Sequence, residues 1–236
     1  MSDAPGRISL QSPFTCYYAF RAPQGGGDAP PLVLGLHGWG MNCESFLRRL
    51  GPLADAGCAV AALQAPNQFY LDMASKKVGF HWLTVYEKEQ SIRDIQTYIE
   101  NVLDDLAGRL AYDPARVYVL GFSQGVSIAW RFAVRTARPI AGLVACCADL
   151  PPDVAERLPE TTPFPALLTH AVDDAVIPRA KLDEAVAVLQ AIHWPHDMFT
   201  YEGGHEVVPE AAANIAAWLQ ARAAGTPPEI QEHGLS

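Results

Sequence analysis

The chain has 236 residues, of which 50% are hydrophobic and 18% are charged, a composition typical of a globular domain with a sizeable core. Its 17 basic and 26 acidic residues give a formal net charge of −9, which repels phosphate backbones and disfavours a role in binding nucleic acid. No segment reaches the ~20 consecutive apolar residues of a membrane span. The first residues also lack the apolar run of a signal peptide, so we expect no membrane span and a cytoplasmic location.

Short apolar runs alternate with longer segments of helical period, which is typical of a mostly parallel sheet with helices on both faces. In chain order the predicted elements are strand 14–20, strand 32–37, helix 44–57, strand 58–63, helix 87–110, strand 116–122, helix 125–135, strand 140–147, strand 166–171, helix 179–192, strand 197–202 and helix 209–224. Residues 64–86 show no clean period and are predicted to form a long irregular loop. We expect one α/β domain over residues 1–236, with about seven strands and loose termini at 1–13 and 225–236.

The cysteines give no sign of a disulfide framework or a zinc site. They are odd in number, scattered along the chain, and form no C-x-x-C pair. The five positions are Cys16, Cys43, Cys58, Cys146 and Cys147. We expect buried thiols, and neither a metal nor an organic cofactor.

One serine stands between two glycines at a predicted strand-to-helix junction, in the sequence GFSQG (121–125). Glycines two residues before and after a serine are needed where a sharp turn leaves no room for larger side chains. Such a turn exposes the hydroxyl and directs the start of the following helix toward the reacting atom. The pattern predicts that Ser123 is a nucleophile.

A serine hydroxyl needs a neighbouring base, and the chain offers seven histidines. His205 follows Gly203 and Gly204 between the last predicted strand and the last predicted helix, where a loop can reach across the sheet edge. We expect His205 to be the base. The other histidines are assigned no catalytic role; they are His37, His81, His170, His193, His196 and His233.

The base in turn needs a carboxylate to orient it. Asp173 and Asp174 follow the predicted strand 166–171, at the sheet edge where open α/β folds place their ligand sites. Asp149 follows the preceding strand and is a third candidate. The residue pattern alone leaves this choice open.

A glycine-rich loop follows the early buried strand, in the sequence HGWG (37–40). It resembles the oxyanion-hole loops of esterases, in which a backbone N–H pairs with the N–H of the residue after the nucleophile. Those donors are predicted to be the main-chain amides of Trp39 and Gln124. We expect His37 to hold the loop in shape.

These motifs occur in the chain order of α/β-hydrolases, and the chain resembles the phospholipase/carboxylesterase family, which includes acyl-protein thioesterases. The resemblance rests on LHGWG, DPARVYVLGFSQG, HAVDDAVIP and GGHEV. Aligning His170 and Pro178 with the ends of the family's acid segment implies that Asp174 is the catalytic acid. Ala171 departs from the family's usual glycine, and the aromatic segment near residues 80–89 matches only loosely.

The resemblance implies an α/β-hydrolase fold and a serine hydrolase that cleaves carboxylic esters through an acyl-enzyme intermediate. Thioesters or peptides as substrates, and a non-catalytic binding role, are the alternatives. The expected partner is a small-molecule ester or thioester. The apolar side chains of residues 64–86 are predicted to wall the acyl pocket, with Phe69 and Trp82 as the candidates.

Overall fold

The computed structural model describes residues 7–25, 27 and 29–224. The strands are β1 (Tyr18–Arg21), β2 (Leu32–Leu36), β3 (Ala59–Leu63), β4 (Asn67–Asp72), β5 (Lys77–His81), β6 (Val117–Phe122), β7 (Gly142–Cys146), β8 (Ala166–Ala171) and β9 (His196–Tyr201). The helices are α1 (Cys43–Arg49), α2 (Gly51–Asp55), α3 (Lys88–Ala107), α4 (Gln124–Ala133), α5 (Pro152–Ala155), α6 (Arg179–Ala191) and α7 (Pro209–Ala223), with a 3₁₀ turn at Leu158–Glu160.

The central sheet has seven strands in the order β1-β3-β2-β6-β7-β8-β9. All neighbouring strands are parallel except β1 and β3, which are antiparallel. Every residue of β2, β3, β6, β7 and β8 is buried, as expected for parallel strands covered on both faces. This architecture confirms the predicted fold class.

Two hydrophobic cores lie on opposite faces of the sheet. One core packs α3, α4 and α6 against it through residues such as Ile95, Ile128 and Leu182. The other packs α1, α2 and α7 through residues such as Phe46 and Ile215. The carboxyl ends of the parallel strands therefore meet at one edge, between the two helical layers. Among the described residues, no helix combines the length and apolar character needed to cross a membrane.

The predicted helix 44–57 is in fact two helices that meet at Leu50, which is the last cap of α1 and the first cap of α2. Pro52 explains the break. A proline inside a helix lacks the N–H that would bond the carbonyl four residues earlier, and its ring clashes with that carbonyl. At the second position of a new helix the missing N–H costs nothing.

The prediction of an irregular loop over 64–86 is wrong. Within it, β4 and β5 form an antiparallel hairpin that is separate from the main sheet. Its two faces differ: Phe69 and Leu71 are partly buried, whereas Gln68 and Tyr70 are exposed. The hairpin is tied to the loop after β2 by a hydrogen bond from the Gly40 N–H to the Phe80 carbonyl (2.8 Å).

The predictions for the two ends of the chain can be compared with the structure only in part. The first strand begins at Tyr18 rather than at residue 14, and residues 7–17 hold no helix or strand. The predicted loose tail 225–236 and residues 1–6 lie outside the described residues. The proline-rich stretch after β7 holds α5 and the 3₁₀ turn, which the sequence did not predict.

Candidate active site

Ser123 forms the apex of a tight turn between β6 and α4. Its backbone has φ 52° and ψ −123°, a conformation that is unusual for a residue with a side chain. A Cβ on Gly121 would lie 2.5 Å from the backbone of Val126, and a Cβ on Gly125 would lie 2.0 Å from the Leu36 carbonyl oxygen. Both glycines are therefore required by close backbone contacts, as the motif predicts.

His205 lies in the loop between β9 and α7 and connects two of the other candidates. Its Nε2 atom is 2.8 Å from Ser123 Oγ, and its Nδ1 atom is 2.8 Å from Asp174 Oδ2. The loop is held by two backbone hydrogen bonds, from the Asp173 N–H to the Gly203 carbonyl and from the Glu206 N–H to the Gly204 carbonyl. Gly203 adopts φ 140°, a backbone conformation that glycine adopts easily and residues with a side chain rarely do.

Asp174 is fixed from both sides. Its Oδ2 faces His205, and its Oδ1 accepts hydrogen bonds from the N–H groups of Val176 and Ile177, each 2.8 Å long. Burial by itself would raise the pKa of Asp174, but the hydrogen bonds from His205 and these two amides outweigh it and hold that pKa below its ordinary value. The carboxylate is therefore ionised at neutral pH.

The two competing carboxylates do not join this arrangement. Asp173 and Asp149 are both exposed. The Asp174 side chain, in contrast, has no solvent-exposed surface. Of the three candidates, the structure brings only Asp174 to His205.

The loop after β2 packs directly against the serine turn. A Cβ on Gly38 would lie 2.9 Å from the Phe122 ring and 3.2 Å from Ser123 Cβ. Gln124 is the first residue of α4, so its N–H has no carbonyl within the helix to bond. Within residues 7–25, 27 and 29–224, the Trp39 N–H likewise donates to no protein acceptor. Neither amide is therefore used by a hydrogen bond in this part of the chain, and their role as oxyanion donors stays a prediction.

His37 is a buried structural histidine. Its Nδ1 donates to the Gly38 carbonyl (2.8 Å), and its Nε2 accepts from the Ala65 N–H (3.1 Å). Burial lowers the pKa of His37 to about 4. The neutral ring therefore ties residues 37–40, which we call the oxyanion loop after their predicted role, to the residues that follow β3.

The two residues predicted to wall the pocket have different environments in the structure. Phe69 is partly exposed, and its ring lies 4.6 Å from that of Trp39, centroid to centroid. Trp82 is 0% exposed and belongs to the core under α3 and α4. Its indole N–H donates to the His37 carbonyl (2.8 Å). A fully enclosed side chain does not line an open pocket, so the expectation for Trp82 is corrected.

Cys147 is a residue near the site that the sequence analysis did not single out. Its Sγ, a carboxylate oxygen of Asp174 and a ring nitrogen of His205 all lie within 4.8 Å of one another. The thiol also hydrogen-bonds with the Tyr201 hydroxyl (3.1 Å). A metal ion held there would compete with the contact between His205 and Asp174. The only sequence signal was the position of Cys147 at the end of a buried strand.

The remaining histidines and the cysteines have the following places in the structure, and the prediction of buried thiols holds for four of the five cysteines. His193 and His196 flank the start of β9, at the sheet edge opposite Ser123. The five cysteines are free, and all but Cys16 are buried. His81 is half-buried beside Phe69, and its Nδ1 has no partner among the described residues.

Comparison with known proteins identifies the family. The phospholipase/carboxylesterase family model matches residues 24–222. NocK of Nocardia uniformis subsp. tsuyamanensis, a candidate esterase, is 32% identical over 181 residues, which is 74% of this chain. The chain spans 50% of the length of NocK.

Solved structures share the fold at low sequence identity. Esterase PE8 superposes with a TM-score of 0.70 at 20% identity, covering 87% of this chain and 98% of its own. Acyl-protein thioesterase 2 of Zea mays gives a TM-score of 0.64 at 20% identity, with the same two coverages of 87% and 98%. SOBER1 of Arabidopsis thaliana gives 0.66 at 16% identity, covering 83% of this chain and 100% of its own. With the family model spanning most of its length, the chain belongs to the phospholipase/carboxylesterase family of hydrolases and has the α/β-hydrolase fold.

Proposed function

We propose that the chain is a serine hydrolase that cleaves carboxylic esters through an acyl-enzyme intermediate. The observation that carries this proposal is the continuous hydrogen-bond chain from Ser123 through His205 to Asp174, with 2.8 Å at each step. A nucleophile, a base and an orienting carboxylate in this order form the triad that activates a serine hydroxyl.

In the acylation step, His205 Nε2 takes the proton from Ser123 as Oγ attacks the ester carbonyl carbon. The carbonyl π electrons move to oxygen, and the main-chain amides of Trp39 and Gln124 donate hydrogen bonds to that oxyanion. When the tetrahedral intermediate collapses, the bond to the alcohol oxygen breaks. His205 then gives its proton to the departing alcohol. Asp174 keeps the imidazole in the required tautomer and stabilises its protonated form.

Deacylation repeats these steps with water. His205 removes a proton from the water molecule as its oxygen attacks the acyl carbon, and the same two amides hold the second oxyanion. Collapse of this intermediate breaks the bond to Ser123 Oγ. The proton returns from His205 to the serine, and the carboxylic acid leaves.

For the substrate we propose a small-molecule carboxylic ester. The family match and the relatives named as esterases support this class. The acyl group would lie against the apolar surface of Trp39 and Phe69, whose rings are in contact beside the oxyanion loop. One structural relative is named an acyl-protein thioesterase, so thioesters are the first alternative. The cytoplasmic location stays a prediction of the sequence.

Labelling with a fluorophosphonate, followed by a substrate panel, tests the proposal. The wild-type chain should be labelled once, on Ser123, and Ser123→Ala should not be labelled. A panel of esters, thioesters and peptides with matched acyl groups then ranks kcat/KM across the three classes, and we expect esters to rank first. An unlabelled wild-type chain would favour a non-catalytic role, whereas a labelled chain that prefers thioesters or peptides would replace only the substrate class.

A further inference from the structure

The side chain of Gln124, the residue after the proposed nucleophile, is engaged by two backbone groups from a distant part of the chain. Its Oε1 accepts a hydrogen bond from the Trp82 N–H (2.8 Å), and its Nε2 donates to the Leu83 carbonyl (2.9 Å). Only one orientation of the amide satisfies both partners, because an N–H needs the oxygen and a carbonyl needs the nitrogen. The side chain therefore fixes α4 to the segment that follows the hairpin.

Trp82 extends this connection to the oxyanion loop. While its backbone N–H bonds Gln124, its indole Nε1 donates to the His37 carbonyl (2.8 Å). The Trp82 ring lies 5.3 Å from the His37 ring, centroid to centroid, and is fully buried. Two residues after His37 comes Trp39, whose N–H is the other proposed oxyanion donor.

We infer that Gln124 and Trp82 form a bracket that sets the spacing of the two oxyanion donors. The inference rests on the proposed function. In this bracket the Gln124 side chain and Trp82 are positioning residues, because they touch neither substrate nor reacting atoms. Their hydrogen bonds connect the two loops that carry the donors. The bond from Trp82 to His37 is buried and the two bonds of the Gln124 side chain are partly buried, so neither loop can shift without breaking at least one of them.

Precise spacing matters because the donors act on charge that develops in the transition state. Removing one oxyanion donor lowers kcat by about 10²- to 10³-fold, and a displacement of ~1 Å can lower a rate by about 10²-fold. The bracket should thus affect kcat and leave KM nearly unchanged, since interactions made only in the transition state do not change ground-state binding.

The test breaks the bracket from each side and compares the results with a matched control. Gln124→Met keeps the length of the side chain but removes both hydrogen bonds, and Trp82→Phe keeps an aromatic ring but removes the bond to His37. The control is Trp218→Phe. Trp218 is also buried and donates its indole N–H to Asp197 (2.8 Å), but it contacts Tyr118 near the start of β6, at the far end of the sheet from Ser123.

We expect Gln124→Met and Trp82→Phe each to lower kcat by about 10- to 100-fold with KM changed less than about 3-fold. The affinity for a boronic acid, which mimics the tetrahedral intermediate, should fall by the same factor as kcat/KM. Trp218→Phe should lose stability in thermal melts and keep its kcat. If one of the two bracket variants does not fold, the other decides.

The bracket is overturned if the folded variants match Trp218→Phe in kcat and in boronic acid affinity. The proposed function has a separate control, because Ser123→Ala tests the nucleophile itself. A Ser123→Ala chain with full activity would contradict the triad, and an inactive Ser123→Ala chain with fully active bracket variants would contradict the bracket alone.

Discussion

The carbonyl oxygen of Leu36 lies so close to Gly125 that a Cβ atom on Gly125 would stand 2.0 Å from it. This contact joins the end of β2 to the first turn of α4, and so joins the oxyanion loop to the serine turn. Backbone cannot move aside as a flexible side chain can. The second glycine of the GFSQG motif is therefore a requirement of the fold as well as of the site.

Gly125→Ala should consequently disrupt the serine turn. We expect a loss of soluble protein or a fall in melting temperature together with loss of esterase activity, because the added methyl group overlaps the Leu36 carbonyl. Gly108→Ala is the matched control: its Cβ would meet its nearest neighbour, the Asp105 carbonyl oxygen, at an ordinary 3.6 Å. Equal melting temperatures for the two variants would contradict the close approach.

The adjacent carboxylates Asp173 and Asp174 should respond very differently to amidation. Asp174→Asn should fold and lose about 10⁴-fold in kcat, as a triad does when its carboxylate no longer sets the histidine tautomer. Asp173→Asn should keep most of its activity, because its side chain is exposed and does not contact His205. Equal and mild effects at both positions would reopen the assignment and make Asp149 the next residue to test.

Activity should rise with pH. His205 must be neutral to accept the Ser123 proton, so we expect kcat/KM to be low where the base is protonated and to increase as the pH is raised. Asp174 does not contribute to the change, since its pKa lies below the ordinary aspartate value and it stays ionised throughout. The measurement is kcat/KM on an activated ester, for which acylation limits the rate. A flat profile would contradict the role of His205 as base.

Stability should fall as the pH is lowered from about 6.5 to about 4, because of His37. Its pKa is about 4 in the folded chain against 6.5 ordinarily, so in this window the unfolded chain binds a proton that the folded chain does not. Each pKa unit is worth about 1.4 kcal/mol, so the loss reaches roughly a few kcal/mol by pH 4.

Urea unfolding at several pH values measures this loss. The buried His170 also has its pKa lowered, chiefly by burial. The slope of the unfolding free energy against pH in the wild type therefore includes contributions from more than one histidine. The difference in slope between wild type and His37→Gln isolates the part due to His37. Identical slopes would show that His37 does not titrate as its burial requires.

The acyl pocket is tested at Phe69. Phe69→Ala should shift the preference among esters toward longer acyl chains, since an opened wall accommodates further methylenes, each worth ~0.8 kcal/mol when buried. Tyr70→Ala is the control, because Tyr70 is 54% exposed and its side chain lies on the other face of β4. If Phe69→Ala keeps the wild-type ratio of rates on short and medium esters, Phe69 does not wall the pocket.

The main sheet and the serine turn were predictable because both leave local signals. The buried strands are continuous apolar runs, and Gly121 and Gly125 stand where backbone contacts exclude any side chain. His205 and Ser123 are 82 residues apart, yet each follows a strand of one parallel sheet, so the topology brings them to the same edge. The choice of Asp174 over Asp173 as the catalytic acid depended on the family resemblance, because both residues follow the same strand and the residue pattern does not distinguish them.

The hairpin and the role of Trp82 were not predictable from periodicity. The exposed face of the hairpin carries apolar side chains, such as Tyr70 (54% exposed) and Val78 (42% exposed), so the sequence lacks the apolar–polar alternation typical of a half-buried strand. The stability of the hairpin depends on distant contacts, such as the Leu71 side chain against Gly40. Trp82 was assigned to the pocket from its apolar surroundings, whereas a hydrogen bond to a residue 45 positions earlier holds it in the core.

The central claim, an acyl-enzyme formed on Ser123, is tested most directly by rapid mixing with an activated ester followed by rapid quenching and mass spectrometry. The account predicts a burst of alcohol close to one equivalent per chain, and an acyl group on the peptide that contains Ser123. Steady turnover without a burst, on a substrate whose deacylation is slow, combined with no acyl group on Ser123, would contradict it.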